Sequence, residues 1–277
     1  MGSAIAKALL GTSWVRAVFA SNPQKPHVML SLSKPEKKRF RWKKVAPFRR
    51  INCLASLRLG LVDNTAVVKA VDIVVIAVRP GVVAATLQEI RPFLKKKQIL
   101  ISIAAGTPLK KLKKWSGGHK KIVRVMPNLP AQVFDGMSVW KPAQGLSKKE
   151  KTAVKKFLES FGKQIEVKDE KLIDMATAIG GGGPAYTAAF LESMTKAAKR
   201  IGFSESDARL LAIQTVDGSL DYIKETGIEF NQLKSAVQTK GGTTETGFKI
   251  LKKKKWQATL EKALFAGYKR AREISKK

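Results

Sequence analysis

Two short, continuous apolar runs dominate the first half of the chain, at residues 70–78 and 98–103. Both are rich in valine and isoleucine, which is typical of strands buried on both faces of a parallel sheet. Residues 81–94 between them have helical spacing. Further elements are predicted at 121–125 (strand), 148–161 (helix) and 164–167 (strand). The alternation of strands and helices predicts an α/β domain whose parallel sheet is wrapped by helices.

The pattern changes at about residue 171, where apolar residues begin to recur at helical intervals without intervening strands. Helices are predicted at 185–201, 204–225 and 256–274. Ser204 with Asp207 is typical of a capped helix start, and Gly202 of a helix end. The chain is therefore predicted to have two domains, 1–168 with the sheet and 169–277 entirely helical.

Charge adds a second feature, because 53 lysines and arginines against 21 acids give a net charge of +32. The excess is concentrated in lysine runs at 95–97, 110–114 and 252–255. Such a surface can bind nucleic acid by counterion release, but these runs lack the interleaved aromatics that stack bases. A positive surface equally steers small anions toward a cleft. Nucleic-acid binding is therefore the weaker of the two interpretations.

Several classes of protein are not favoured by the sequence. It has no apolar run of the roughly 18–20 residues that a membrane span needs. The single cysteine, Cys53, cannot form an internal disulfide, and no metal-ligand spacing occurs. We therefore expect a soluble protein of the cytoplasm without a bound metal.

Four segments carry candidate chemistry. The chain begins with Met1-Gly2 and a small-residue helix start, similar to the end of a glycine-rich dinucleotide fingerprint. The strand ends 77–80 (AVRP) and 102–106 (SIAAG) have small residues that let a flat ring approach the backbone. Glycine-rich loops then open helices at 180–186 (GGGGPAY) and 239–247 (TKGGTTETG). Loops of the last kind offer N–H groups and a positive dipole end to an anion.

In this order and spacing the segments resemble the pyrroline-5-carboxylate reductase family over nearly the whole chain. The matching motifs also include MPN at 126–128 and QTVDG at 214–218. The resemblance implies a Rossmann-like, doubly wound sheet followed by a helical dimerisation domain. It also implies reduction of 1-pyrroline-5-carboxylate to L-proline by hydride transfer, the last step of proline biosynthesis. A homodimer or a larger homo-oligomer is expected.

Matching residues give the expected site. The resemblance assigns the cofactor to Gly2, Asn22, Asn64, Ala77, Val78, Arg79, Pro80, Ala104 and Ala105. No acid that would bind ribose hydroxyls stands near Asn22, and Lys25 is close by, so NADPH is expected in preference to NADH. The substrate carboxylate is assigned to Gly242, Thr243 and Thr244. The Thr244 hydroxyl is the group expected to hydrogen-bond the ring nitrogen.

The sequence also departs from the family. The first strand and two glycines that precede the match to Gly2 are absent, which is expected to impair activity as the chain is written. Residues 24–59 form a long basic stretch without periodicity, either an insertion or a frame-shifted segment. Gly180 and Gly182 stand where the family has serines, and Lys240 where it has proline.

Two alternatives remain at the level of sequence. One is a reductase of another small imino or keto acid, against which the GPAY and GGTT loops argue. The other is a non-catalytic basic protein that binds nucleic acid through residues 24–50 and the lysine runs.

Overall fold

A computed structural model of the chain describes residues 17–20, 28–31 and 64–276, with backbone alone for the first two segments. The chain divides into two compact units. The sheet unit comprises residues 1–181 with 268–277, and the helical unit comprises residues 182–267.

Five strands form the main sheet, in the order β3-β4-β5-β6-β7. They are β3 (Ile73–Ile76), β4 (Ile99–Ser102), β5 (Ile122–Met126), β6 (Gly136–Pro142) and β7 (Gly162–Glu166). Strands β3, β4 and β5 are parallel, as predicted. Strand β6, which the sequence did not predict, runs antiparallel to β5 and parallel to β7. The predicted parallel sheet is therefore confirmed, with one antiparallel pairing, between β5 and β6, that the sequence did not indicate.

A separate antiparallel pair is formed by β1 (Ala17–Ala20) and β2 (Val28–Ser31). Strand β2 lies within the basic stretch 24–59, for which no regular element was predicted, and it contacts β3. The rest of that stretch lies outside the described residues, and so does the chain before Ala17, to which the predicted loss of the first strand refers.

Alternate residues of the buried strands face opposite sides of the sheet. On one side Val75, Ile101 and Val123 pack with Phe157 and Leu158, which belong to helix α4 (Lys148–Glu159). The sheet therefore has a helix against this face, as a doubly wound fold requires.

The opposite face is covered by three helices, α1 (Asn64–Ala70), α2 (Val83–Ile90) and α3 (Leu109–Trp115). They contribute Val68, Leu87, Ile90 and Leu112 to a second apolar cluster around Leu100. Sequence analysis did not predict helix α3, because four of its seven residues are lysines and Leu112 is the one residue that it buries.

The remaining helices follow the sheet. They are α5 (Lys171–Ala176), α6 (Gly183–Ile201), α7 (Glu205–Thr226), α8 (Phe230–Val237), α9 (Thr243–Lys253) and α10 (Trp256–Lys276). The predicted caps are confirmed: Ser204 Oγ accepts from the Asp207 N–H at 3.1 Å, and Gly202 ends α6 with a φ of 118°. In the described part of the chain, no helix has the length and apolar character that a bilayer span requires.

Candidate active site

The predicted cofactor residues that follow β3 and β4 lie side by side at the carboxyl edge of the sheet. The two strands are parallel, with Ile76 opposite Ser102. The Ile103 N–H donates to the Ile76 carbonyl oxygen at 3.1 Å, which extends the pairing into the loops. The segments 77–80 and 104–105 therefore begin at adjacent points, where open α/β sheets bind their ligands.

The first of these loops turns sharply after the strand. Val78 is buried, whereas Arg79 and Pro80 are exposed. Arg79 is extended, and the Val82 N–H donates to its carbonyl oxygen at 3.0 Å to close a turn of 3-10 helix, Pro80–Val82. The turn leaves the Arg79 guanidinium at the surface of this edge.

The second loop is lined by small residues. Ala104 is buried and its N–H donates to Ser102 Oγ at 3.3 Å. Ala105 and Gly106 are half-buried, and Gly106 has a φ of 68°. The loop therefore presents little side-chain bulk at the sheet edge.

Asn64, at the start of α1, is another described member of the predicted cofactor set. It is 6% exposed, and its Nδ2 donates to both carboxylate oxygens of Glu89 at 3.0 and 3.2 Å. Its Oδ1 is buried and has no hydrogen-bond partner within the described part of the chain. A buried acceptor of this kind is costly unless a donor reaches it, so Asn64 is suited to receive a ligand hydroxyl or amide. Gly2 and Asn22 lie outside the described residues.

The predicted substrate loop lies in the helical unit and leads into α9. Gly241 has a φ of 75°, which favours glycine. At Gly242 a Cβ atom would stand 2.5 Å from Thr239 Oγ1, so a side chain there requires Thr239 to move. The Gly242 N–H donates to the Thr239 carbonyl oxygen at 3.1 Å. The left-handed φ therefore favours glycine at Gly241, and the closeness of Thr239 favours it at Gly242.

The first turn of α9 exposes donors. The first intrahelical bonds run from the N–H and Oγ1 of Thr246 to the Gly242 carbonyl oxygen, each at 3.2 Å. The N–H groups of Thr243, Thr244 and Glu245 precede this bond and have no acceptor inside the helix. In the described chain, no side chain caps the helix at Gly242. Thr243 is exposed and Thr244 half-buried.

The Glu245 carboxylate stabilises this turn. Its Oε2 accepts from the Gly241 N–H at 2.9 Å and pairs with Lys249 Nζ at 3.5 Å. The pKa of the Glu245 carboxyl is lowered mainly by the hydrogen bond from the Gly241 N–H, and next by the positive charge of Lys249. The carboxylate therefore stays ionised at neutral pH.

An open groove of about 290 Å³ borders Thr244 within the helical unit. Its lining residues are Ile223, Phe230, Leu233, Lys234, Val237, Thr244, Phe248, Trp256 and Gln257. Sequence reasoning did not single out this largely apolar wall, because its members are spread over four helices and each alone matches ordinary helical periodicity.

The segment predicted as a tight glycine loop takes another form. Residues Thr177–Gly181 make one π-helical turn, and α6 starts at Gly183 with Pro184 in its first turn. The proline position is as predicted, but the loop is wrong, because the chain continues helically through the glycines. At Gly180 a Cβ atom would meet nothing within 4 Å, so the family's serine has space there.

Sequence reasoning missed a buried polar network in the sheet unit. Arg124, 2% exposed in the middle of β5, donates from Nη2 to Asp174 Oδ1 at 2.7 Å and from Nη1 to Glu170 Oε1 at 3.0 Å. The available signal was a lone arginine within the apolar run IVRVM. Over residues 64–276, no group of three or more histidine, cysteine, aspartate or glutamate side chains is arranged to hold a metal ion.

Two family models match the chain. Residues 170–274 match the model described as pyrroline-5-carboxylate reductase dimerisation. Residues 1–106 match the model described as NADP oxidoreductase, coenzyme F420-dependent.

Known proteins with that reductase name are similar over most of the chain. The pyrroline-5-carboxylate reductase of Arabidopsis thaliana is 37% identical over 209 residues, covering 76% of this chain and 75% of the plant protein. That of Pseudomonas aeruginosa is 33% identical over 213 residues, covering 77% and 78%.

Solved structures of proteins with the same kind of name are also similar to this chain. The Plasmodium falciparum pyrroline carboxylate reductase with NADP bound is 28% identical with a TM-score of 0.80, covering 99% of this chain and 94% of that one. The Coxiella burnetii pyrroline-5-carboxylate reductase is 33% identical with a TM-score of 0.72, covering 78% and 80%. This chain belongs to the pyrroline-5-carboxylate reductase family, with a Rossmann-type sheet domain followed by a helical dimerisation domain.

Proposed function

We propose that this chain reduces 1-pyrroline-5-carboxylate to L-proline, with NADPH as the reductant and NADH as the second candidate. The observation that carries the proposal is the Gly-Gly-Thr-Thr turn, whose uncapped N–H groups and Thr244 hydroxyl lie at the start of α9. A helix N-terminus favours a carboxylate, and the substrate has one.

The substrate is held by its carboxylate and its ring nitrogen. The N–H groups of Thr243 and Thr244 donate to the carboxylate oxygens, and Gly242 keeps this approach free of a side chain. The Thr244 hydroxyl hydrogen-bonds the ring nitrogen. Because a protonated imine accepts hydride far more readily than a neutral one, this contact at nitrogen favours the reaction.

The cofactor is assigned to the carboxyl edge of the sheet. The proposed contacts are Gly2, Asn22, Asn64, Ala77, Val78, Arg79, Pro80, Ala104 and Ala105. The Oδ1 of Asn64, which has no partner among the described residues, accepts a hydrogen bond from the cofactor, and the small residues after β4 leave room for a flat ring. When bound, NADPH supplies the hydride. The protein contributes position, which accounts for much of the rate of such a transfer.

Preference for NADPH is supported by one relative and by the sequence. The Plasmodium falciparum protein has been solved with NADP bound. In this chain Lys25 stands near Asn22, where a positive charge favours a phosphorylated ribose.

We also propose a homodimer as the smallest active assembly, since residues 170–274 match the family's dimerisation model. The cytoplasm is the proposed location, supported by the single cysteine, which cannot form the internal disulfides common in secreted proteins.

The test is NADPH oxidation by the full chain with pyrroline-5-carboxylate, compared with a panel of other small imino and keto acids. Thr244→Ala is expected to lower kcat/KM about 100-fold or more, since it removes a contact to the reacting nitrogen. Thr152→Ala is the matched control, because that hydroxyl bonds the Lys148 carbonyl oxygen on an exposed face of α4. Activity of the Thr244→Ala variant equal to that of the unaltered chain would contradict the role assigned to Thr244. Faster turnover of another imino or keto acid would contradict pyrroline-5-carboxylate as the substrate.

A further inference from the structure

The last turn of α10 packs against the loop that follows β4. Residues 268–277 belong to the sheet unit, and Ile274 lies directly over Gly106. A Cβ atom at Gly106 would clash with Ile274 Cγ2 and would stand 3.3 Å from the Ile274 carbonyl carbon. The loop backbone and the end of the chain are therefore in close contact, two residues or fewer from Ala104 and Ala105.

Ser275, the next residue, is tied into the buried network below the loop. Its Oγ donates to Asp174 Oδ1 at 2.9 Å, the same oxygen that accepts from Arg124 Nη2 at 2.7 Å. Its carbonyl oxygen accepts from Lys111 Nζ at 3.2 Å. Ser275 therefore joins the C-terminal turn both to the network and to helix α3.

The network closes on the far end of the same loop. Glu170 Oε1 accepts from Arg124 Nη1 at 3.0 Å and from the Leu109 N–H, the first residue of α3, at 2.8 Å. Lys111 lies in the same helix two residues later. The bonds thus run in a circuit from Leu109 through Glu170, Arg124, Asp174 and Ser275 back to Lys111.

We propose that Ile274 and Ser275 form a C-terminal clasp that positions the Ala104–Thr107 loop for the cofactor, and this rests on the proposed function. The two are positioning residues, since they act through Gly106 and through the network. A loop of small residues, with one in a left-handed conformation, has little packing of its own to fix its shape. Contacts from outside the loop therefore determine how much conformational entropy the loop loses when the cofactor binds.

The test compares the full chain with its Ser275→Ala and Ile274→Ala variants. Amide hydrogen exchange without cofactor is expected to quicken several-fold at residues 104–109 in both. The dissociation constant for NADPH, from fluorescence titration, is expected to rise about three- to tenfold, as for loss of one hydrogen bond or one apolar contact. KM for pyrroline-5-carboxylate is expected to stay unchanged. Ser275→Thr, which keeps the hydroxyl, is expected to restore both readouts.

Matched controls come from the same unit. Ser160→Ala removes a hydroxyl that bonds the Phe157 carbonyl oxygen, and Ile165→Ala shortens a half-exposed isoleucine on β7. Neither is expected to change exchange at 104–109 or the affinity for NADPH. If they weaken NADPH binding as much as the clasp variants, the effect is general loss of stability and the proposal is overturned.

Two further outcomes also overturn it. One is unchanged exchange at 104–109 in both clasp variants, which would mean that the contacts do not hold the loop. The other is faster exchange with unaltered NADPH affinity, which would mean that loop order does not matter for the cofactor. A wild-type chain that binds no NADPH instead overturns the proposed function, and exchange without cofactor still reports on the clasp.

Discussion

The sheet unit and the helical unit of this chain bury their side chains very differently. The sheet unit encloses Trp140, Phe157 and Leu87 almost completely, in two clusters on opposite faces of the sheet. In the helical unit the residues classed as buried are three alanines, 198, 208 and 212. Its large apolar side chains remain exposed, among them Leu210 at 65% and Phe230 at 77%.

This difference teaches that the two units obtain their stability from different sources. Burial of apolar surface is the main favourable term in folding, and a helix bundle must bury its stripes against something. The sheet unit does so within one chain. Exposed apolar area on the scale seen in the helical unit marks a surface that another molecule covers. The family's dimerisation match over residues 170–274 indicates a second copy of this chain.

The largest expected effect is in the sheet unit. Phe157 is fully buried and meets Phe161 edge-on, with ring centroids 5.4 Å apart. Phe157→Ala is expected to lower the free energy of unfolding of this unit by about 3–5 kcal/mol, because it leaves a cavity. Hydrogen exchange of the β4 and β5 amides over a urea series measures the loss, which should not depend on protein concentration. A loss that shrinks at high concentration would contradict the view that this unit is self-sufficient.

The next effect is in the helical unit and acts on assembly. Leu210→Glu is expected to weaken self-association about 10- to 100-fold, since a charge would replace a buried aliphatic contact in the assembly. Sedimentation over a dilution series measures it. Ile165→Glu is the control, because Ile165 is 50% exposed on β7 of the sheet unit. Equal weakening of self-association by both variants would contradict the view that the helical unit, and not the sheet unit, carries the contact between copies.

The smallest effect concerns pH at the start of α9. The pKa of Glu245 is lowered in the folded chain, chiefly by the Gly241 N–H and then by Lys249. The stability that the ionised Glu245 carboxylate gives to this turn is therefore complete above the ordinary pKa of about 4.3. It is lost as pH falls through the lower pKa of the folded chain. Hydrogen–deuterium exchange of the Gly241 amide, corrected for intrinsic rates, is expected to lose protection over that range. The Glu245→Gln variant should lack this dependence, and an identical pH profile in the variant would contradict the assignment.

Strands β3 and β4 could be predicted because short continuous runs of valine and isoleucine are typical of buried strands. Strand β6 was missed because it is half-buried and carries Ser138 and Lys141 among its apolar residues. Its antiparallel direction depends on the turn Leu129–Val133 and the pairing with β5, which the local pattern does not encode.

Within the site, motifs located the strand-end loops and the Gly-Gly-Thr-Thr turn, because these depend on local backbone geometry. The clasp could not be found in this way, since Ser275 and Asp174 are 101 residues apart and only the folded chain joins them. The functional division between residues 168 and 169 stays a proposal, and the compact units divide the chain after residues 181 and 267.

The central claim, that the helical unit depends on a second copy and the sheet unit does not, is tested most directly by residue-resolved hydrogen exchange at two protein concentrations. Above and below the concentration of half-dissociation, amides of β4 should keep the same protection. Amides of α7 should lose protection on dilution, because their apolar face becomes exposed to water. Equal protection of α7 in the dissociated chain would contradict the account.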